Sequence, residues 1–193
     1  MQNHPIREEW LLKAVAYLEP IFQKYGYQIP PIRVSVGFPS TGSRGRHLGQ
    51  CWGTKASADG VNQIFISPQQ DQPLEVLDTL AHELVHAVDD CQSGHGESFK
   101  KIATDIGMQG QMRSASAGEI LKQDLIRIAE KLGHFPHAKL QMNPKGAGKS
   151  PSRYAAKCVK CGYQVNVLKR FASYGPPLCP KDRVNLDELG EWV

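Results

Sequence analysis

Leu77-Asp78-Thr79-Leu80-Ala81-His82-Glu83-Leu84-Val85-His86 is the run on which the reading of this chain turns. Pro73 suits the first turn of a helix, where its missing amide hydrogen is not needed. Leu74, Leu77, Leu80 or Ala81, Leu84 and Val88 then recur three and four apart, so the spacing predicts a helix over 73–88 with one apolar stripe. On that helix His82 and His86 lie one turn apart on the same face and can direct both imidazoles at one ion. Glu83 lies about 100° around the axis from His82, beside such an ion rather than on it. There it can take a proton from water that the metal has acidified.

Catalytic zinc usually takes three protein ligands and an exchangeable water, so the pattern requires a third ligand. We read His95 as that ligand, because it stands between Gly94 and Gly96, where the chain can turn back toward the helix after Val88. Asp89, Asp90 and Glu97 are rivals within reach. Glu119 would serve if the third ligand came from a later helix. Arg44, Arg46 and His47 are candidates for stabilising charge on a substrate oxygen.

Working outward, Leu11, Val15, Leu18 and Phe22 predict a helix from Ile6 to Tyr25, stopped by Gly26. Ile32, Val34 and Val36 alternate as a strand, and a second strand is expected at Gln63 to Ser67. This second strand is placed to offer an edge to an extended peptide. A Gly-, Ser- and Arg-rich loop over 40–49 leads to Cys51-Trp52. Glu97 to Ile106 predicts a helix closed by Gly107. Ser116 with Glu119 three residues on has capping-box spacing and announces a last helix, packed through Leu121, Leu125, Ile128 and Leu132 and ended by Gly133. The expected fold class is α+β, with residues 1–133 as the main domain. Pro136, Pro144, Gly146, Gly148 and Pro151, scattered among lysines, make 134–153 a linker, and 154–193 a small basic unit.

With 193 residues, 40% of them hydrophobic, the chain can build one ordinary core plus an appendage, but not two full-sized domains. No apolar run approaches the roughly 18 residues of a membrane span, and the N-terminus lacks the apolar stretch of a secretory signal, so a cytoplasmic protein with no membrane partner is expected. Five cysteines, two single and three clustered, suit reduced thiols and metal chemistry better than a disulfide framework. Charge is uneven: residues 1–133 carry a net −2, 134–183 a net +9 and the last ten −3. Such a local positive field attracts polyanions, and nucleic acid, bound through residues 139–183 without sequence preference, is the expected partner.

The run from Ile64 to Ile106, with a strand ending in Ile66-Ser67, the helix from Leu77 to Ala87, and His95-Gly96 followed by Phe99, resembles the SprT-like (Spartan-type) zinc metallopeptidases. The segment 107–112 and Gly133-His134-Phe135-Pro136-His137 resemble members from phages and mobile bacterial elements. The likeness covers roughly residues 5–183 and is most specific over 64–112. It implies a minimal zincin-like catalytic domain, with helices on a small sheet. It also implies zinc held by His82, His86 and His95 with Glu83 as the base, and cleavage of a protein substrate bound or crosslinked to DNA, with DNA as activator. The implied setting is a nucleoid-associated protein or the cytoplasm of a phage-infected host.

Cys158-Val159-Lys160-Cys161-Gly162 has the form of a zinc-knuckle turn, and proteins of this kind often end in a zinc-ribbon-like β unit. Here the second half reads Cys179-Pro180-Lys181-Asp182, with Asp182 where a fourth cysteine is expected. Three readings stand: a second, structural Zn2+ held by Cys158, Cys161, Cys179 and Asp182; a ribbon without metal, packed through Tyr163, Val165, Val167 and Leu168; or a site completed elsewhere, for instance by a histidine. The whole-chain expectation is a zinc endopeptidase acting on DNA-associated proteins. Its alternatives are a DNA-binding adaptor on a zincin scaffold and a peptidase with no nucleic-acid role.

Overall fold

The computed structural model describes residues 6–42, 47–141, 153–190 and 192. Arg44, Arg46 and positions 142–152 of the expected linker lie outside the described residues. The chain divides into two units, Met1–Met142 and Asn143–Val193. Among the described residues no helix is long and apolar enough to cross a membrane.

The first unit mixes helix and sheet. Helix α1 (Arg7–Gln23) buries Trp10, Leu11, Ala14, Leu18 and Phe22 along one face. Strands β1 (Ile32–Val36), β2 (Gly49–Trp52) and β3 (Asn62–Ile66) form a sheet in the order β1-β3-β2, with β1 parallel and β2 antiparallel to β3. Helix α2 (Pro73–Val88) follows, lying against β2 and β3 and burying Val76, Leu77, Leu80, Ala81, Leu84, Val85 and Ala87. Helix α3 (Glu97–Asp105), the two-residue strands β4 (Met108–Gln109) and β5 (Ser116–Ala117), and helix α4 (Glu119–Leu132) complete the unit.

Three expectations are corrected. The strand expected to offer an edge to peptide, β3, is central and paired on both sides; the edges are β1 and β2, and the one that borders the cavity is β2, a strand not foreseen because its four residues include Gly49 and lack an alternating apolar run. Ser116 does not cap α4. It pairs with Gln109 in β5, and the N-cap is Gly118, where a Cβ would come within 2.6 Å of the Gln109 side chain and 2.8 Å of the Gly107 carbonyl oxygen.

The third correction concerns the linker, which does not begin at 134. Phe135 is fully buried and meets Trp10 edge-on at 4.9 Å, and the Trp10 indole N–H donates to the Gly133 carbonyl. His137 Nε2 bonds Pro68 O at 3.0 Å, and the Leu140 amide donates to the same oxygen at 2.7 Å. A composition of Pro and small residues suggested flexibility, but one aromatic anchor and a shared carbonyl tie 134–141 to the first unit.

The second unit is an antiparallel sheet of β6 (Arg153–Lys157), β7 (Gln164–Leu168) and β8 (Asp187–Leu189) in the order β7-β6-β8. Its buried apolar side chains, among the described residues, are Tyr154, Ala156, Cys158, Cys179 and Leu186.

Phe135→Ala should destabilise the first unit by about 3–5 kcal/mol, the usual loss for deleting a buried aromatic ring. Urea unfolding checks this; a change within 1 kcal/mol would return 134–141 to the linker.

Candidate metal centre

Helix α2 delivers His82 and His86 to a cavity of about 670 Å³, and the chain returns His95 to the same place. His95 Nε2 lies 3.3 Å from His82 Nε2 and 3.2 Å from His86 Nε2. Two nitrogens each about 2.0–2.1 Å from a tetrahedral zinc lie about 3.3–3.4 Å apart, so the observed spacing is that of a ligand set. The His82 Nδ1 is 3.3 Å from the Ala115 carbonyl oxygen, which can only accept; the ring therefore donates there and keeps its Nε2 lone pair for the ion. Phe99, fully buried, packs against all three imidazoles with ring centroids 4.4–5.0 Å away and limits their rotation.

Burial lowers the His82 pKa to about 4 and the His86 pKa to about 3, in both cases aided by neighbouring imidazoles, and it lowers that of His95 as well. The cluster is thus neutral at pH 7. At His82 and His86 protons compete with a metal only well below the ordinary histidine range.

The return of His95 within eight residues depends on how α2 ends. The Cys91 amide donates to His86 O at 2.8 Å and the Asp90 amide to Ala87 O at 3.0 Å, the paired bonds of a Schellman cap. Asp89 then accepts from the Ser93 amide at 2.8 Å and from the hydroxyls of Ser93 and Ser98. Asp90 accepts from the Thr54 amide and hydroxyl at 2.7 and 2.8 Å and from Asn62 Nδ2 at 3.1 Å. These two rivals for the third ligand are clamps on the turn, not members of the histidine cluster. Glu97 and Glu119 are exposed, and Glu119 accepts from Gln123.

Glu83 is buried on the cavity wall, and burial pushes its pKa up to about 8. The Cys51 backbone N–H donates to its carboxylate. Strand β2 passes so close that a Cβ at Gly49 would come within 2.7 Å of Glu83 Oε1 and of Thr79 Cγ2. A carboxyl group poised near neutrality and fixed by one amide suits proton transfer.

Sequence reasoning missed several members of this site. Asp78 accepts the Ala117 amide at 2.7 Å and so holds the segment whose Ala115 carbonyl orients His82. Its position four residues before His82, on the same helix face, was a signal available in the sequence. Arg113, which was not foreseen, lines the cavity together with His47, which was, and Arg113 raises the positive potential at His95. Nothing local in the sequence distinguishes Gly49 or Arg113.

In the second unit two turns repeat one hydrogen-bond pattern. Gly162 N–H bonds Cys158 O and Cys158 N–H bonds Tyr163 O; equally, Arg183 N–H bonds Cys179 O and Cys179 N–H bonds Val184 O. Gly162 and Arg183 both take positive φ, 76° and 54°. Asp182 thus occupies in the second turn the place of Cys161 in the first. Cys161 Sγ and Cys179 Sγ are 3.5 Å apart, Asp182 Oδ2 lies 3.3 Å from Cys158 Sγ, and the four ligand atoms all lie within 4.8 Å of one another. Both this group and the three histidines can hold a metal ion. No histidine occurs in 143–193 to complete the site otherwise.

No family model, curated protein or solved structure matches this chain.

Asp78→Ala should weaken zinc affinity about 10–100-fold, the usual effect of losing a group that orients a ligand. Competition with a chromophoric chelator measures it; an unchanged affinity would remove Asp78 from the support of His82.

Proposed function

We propose that the first unit is a zinc-dependent endopeptidase, a minimal zincin-like domain of the SprT-like kind, and that its substrates are DNA-associated proteins. The observation that carries this is the convergence of three Nε2 atoms at ligand spacing with Glu83 on the same helix turn and the same cavity wall. Zinc held by His82, His86 and His95 supplies a Lewis acid that lowers the pKa of water and polarises a carbonyl oxygen. Glu83 takes the proton of the attacking water and returns it to the leaving amine, and the Cys51 amide keeps its carboxylate aimed. The exposed edge of β2 runs beside the cavity through Gly49, Gln50 and Cys51, and suits an extended peptide that pairs along it. Arg113 on the cavity wall is the cation placed to stabilise charge on the scissile carbonyl.

The second unit supports the DNA-directed part of the reading. Arg153, Lys157, Lys160, Lys169, Arg170, Lys181 and Arg183 are exposed. Phe171 and Tyr174 stack at 6.4 Å on its surface, with the Arg170 guanidinium 4.8 Å from the Phe171 ring centroid. Cations interleaved with exposed rings suit phosphates and unpaired bases. A second zinc, on Cys158, Cys161, Cys179 and Asp182, fits this unit better than packing alone. Of the side chains expected to pack it, Tyr163 and Leu168 are exposed and Val165 and Val167 only partly buried, and two of the five buried apolar residues among those described are the ligand cysteines themselves. So small a core needs a staple.

Glu83→Gln should cut a DNA-binding protein at least about 10²-fold more slowly than the native chain while keeping its zinc. Single-stranded DNA should stimulate the native chain. Equal rates for the two chains would sink the peptidase; cleavage indifferent to DNA would leave a peptidase without a nucleic-acid role, and DNA binding with no cleavage would favour the adaptor.

Metal analysis should find two zinc ions per chain, and Cys179→Ser should release one of them and abolish the amide dispersion of the second unit in NMR spectra. One ion per native chain would reject the second site.

A further inference from the structure

Cys51 and Cys91 belong to neither ligand group, yet they meet at the wall of the cavity. Cys51 lies in β2 and Cys91 in the turn that ends α2; both line the cavity, both are half-buried, and each thiol perturbs the other's pKa, Cys51 upward and Cys91 downward. Their approach is built from both sides. Asp90, next to Cys91, grips the Thr54 amide and hydroxyl beyond β2, and a Cβ at Gly53 would come within 2.7 Å of the Asp90 carbonyl oxygen. Asp90 and Cys91 are consecutive non-glycine residues in the left-handed region, at φ 47° and 54°. That conformation costs roughly 1–2 kcal/mol per residue. A glycine after Asp89 would have ended the helix without it. Besides returning the chain toward His95, the turn sets Cys91 against the cavity wall that Cys51 also lines, so the two sulfurs face a common space.

We propose that Cys51 and Cys91 close to a reversible disulfide on exposure to hydrogen peroxide, tying the edge strand to the turn that leads to His95. One sulfur, as thiolate, attacks a peroxide oxygen and breaks the O–O bond, giving a sulfenic acid and one water. The second sulfur attacks the sulfenic sulfur and expels the second water as the S–S bond forms. Two electrons pass from the thiol pair to the peroxide, and both thiol protons leave in the waters. The open cavity gives the oxidant access to both sulfurs. The bond lies between the amide that holds Glu83 and the turn that delivers His95, so it locks both halves of the site into one frame.

The test is a peptide map of the full chain, with and without added zinc, after a brief hydrogen peroxide pulse and alkylation of the remaining thiols. Cleavage after Arg46, Lys55 and Lys100 yields peptides 47–55 and 56–100, which hold Cys51 and Cys91. The expected result is these two peptides joined, two hydrogens lighter than their sum, and separated again by dithiothreitol. Both peptides recovered alkylated, or Cys51 and Cys91 linked only to the 158–179 cysteines, would overturn the proposal. As a second measurement, made in a Cys179→Ser chain so that the histidine zinc is the ion followed, peroxide should slow zinc release to a chelator several-fold and have no such effect once Cys91→Ser is added; a crosslinked chain that releases zinc as fast as the uncrosslinked one would overturn the locking. The peptide map does not require bound metal, so its outcome is separate from that of the peptidase reading.

Discussion

Helix α2 must stop abruptly after Val88 if the chain is to reach its own histidine face again within eight residues, and the carboxylates of Asp89 and Asp90 make it stop. The Schellman bonds satisfy two carbonyls that the helix end would otherwise leave unpaired. Asp89 then folds the turn onto Ser93 and Ser98, while Asp90 fastens it to Thr54 and Asn62 at the sheet. The position of His95 is a consequence of these bonds. So is the meeting of Cys51 with Cys91.

The opposite wall is set by backbone proximity rather than by side chains. Gly49 lets β2 lie directly on α2, which buries Glu83, deprives its charged form of water and lends it the Cys51 amide. The same burial that raises the carboxyl pKa lowers those of His82 and His86, because desolvation opposes charge of either sign. The result is an uncharged cluster of lone pairs beside a proton acceptor near neutrality. Both properties suit the binding of a cation.

The second unit solves a different problem. Its hydrophobic interior is too small to stabilise three strands, and its order is concentrated in two equivalent turns that present sulfur and carboxylate to a common point. Asp182 stands in its turn where Cys161 stands in the other, so the two turns share one local fold while offering different donor atoms.

Helical phasing alone placed His82, Glu83 and His86, since residues four apart on a helix share a face whatever surrounds them, and the apolar stripe told where that helix lies. The glycines around His95 and the spacing of the four C-terminal ligand positions were legible for the same local reason. What only the tertiary structure decided was set by contacts between residues far apart in the chain. Asp89 and Asp90 became clamps instead of ligands through partners at Thr54 beyond β2, on β3 and on α3. The strand edge moved from β3 to β2 because pairing partners, not alternation, make an edge. Residues 134–141 joined the first unit through Phe135 against Trp10. Sequence periodicity records which way a side chain faces on its own element; it holds no record of the distant atoms that will meet it there.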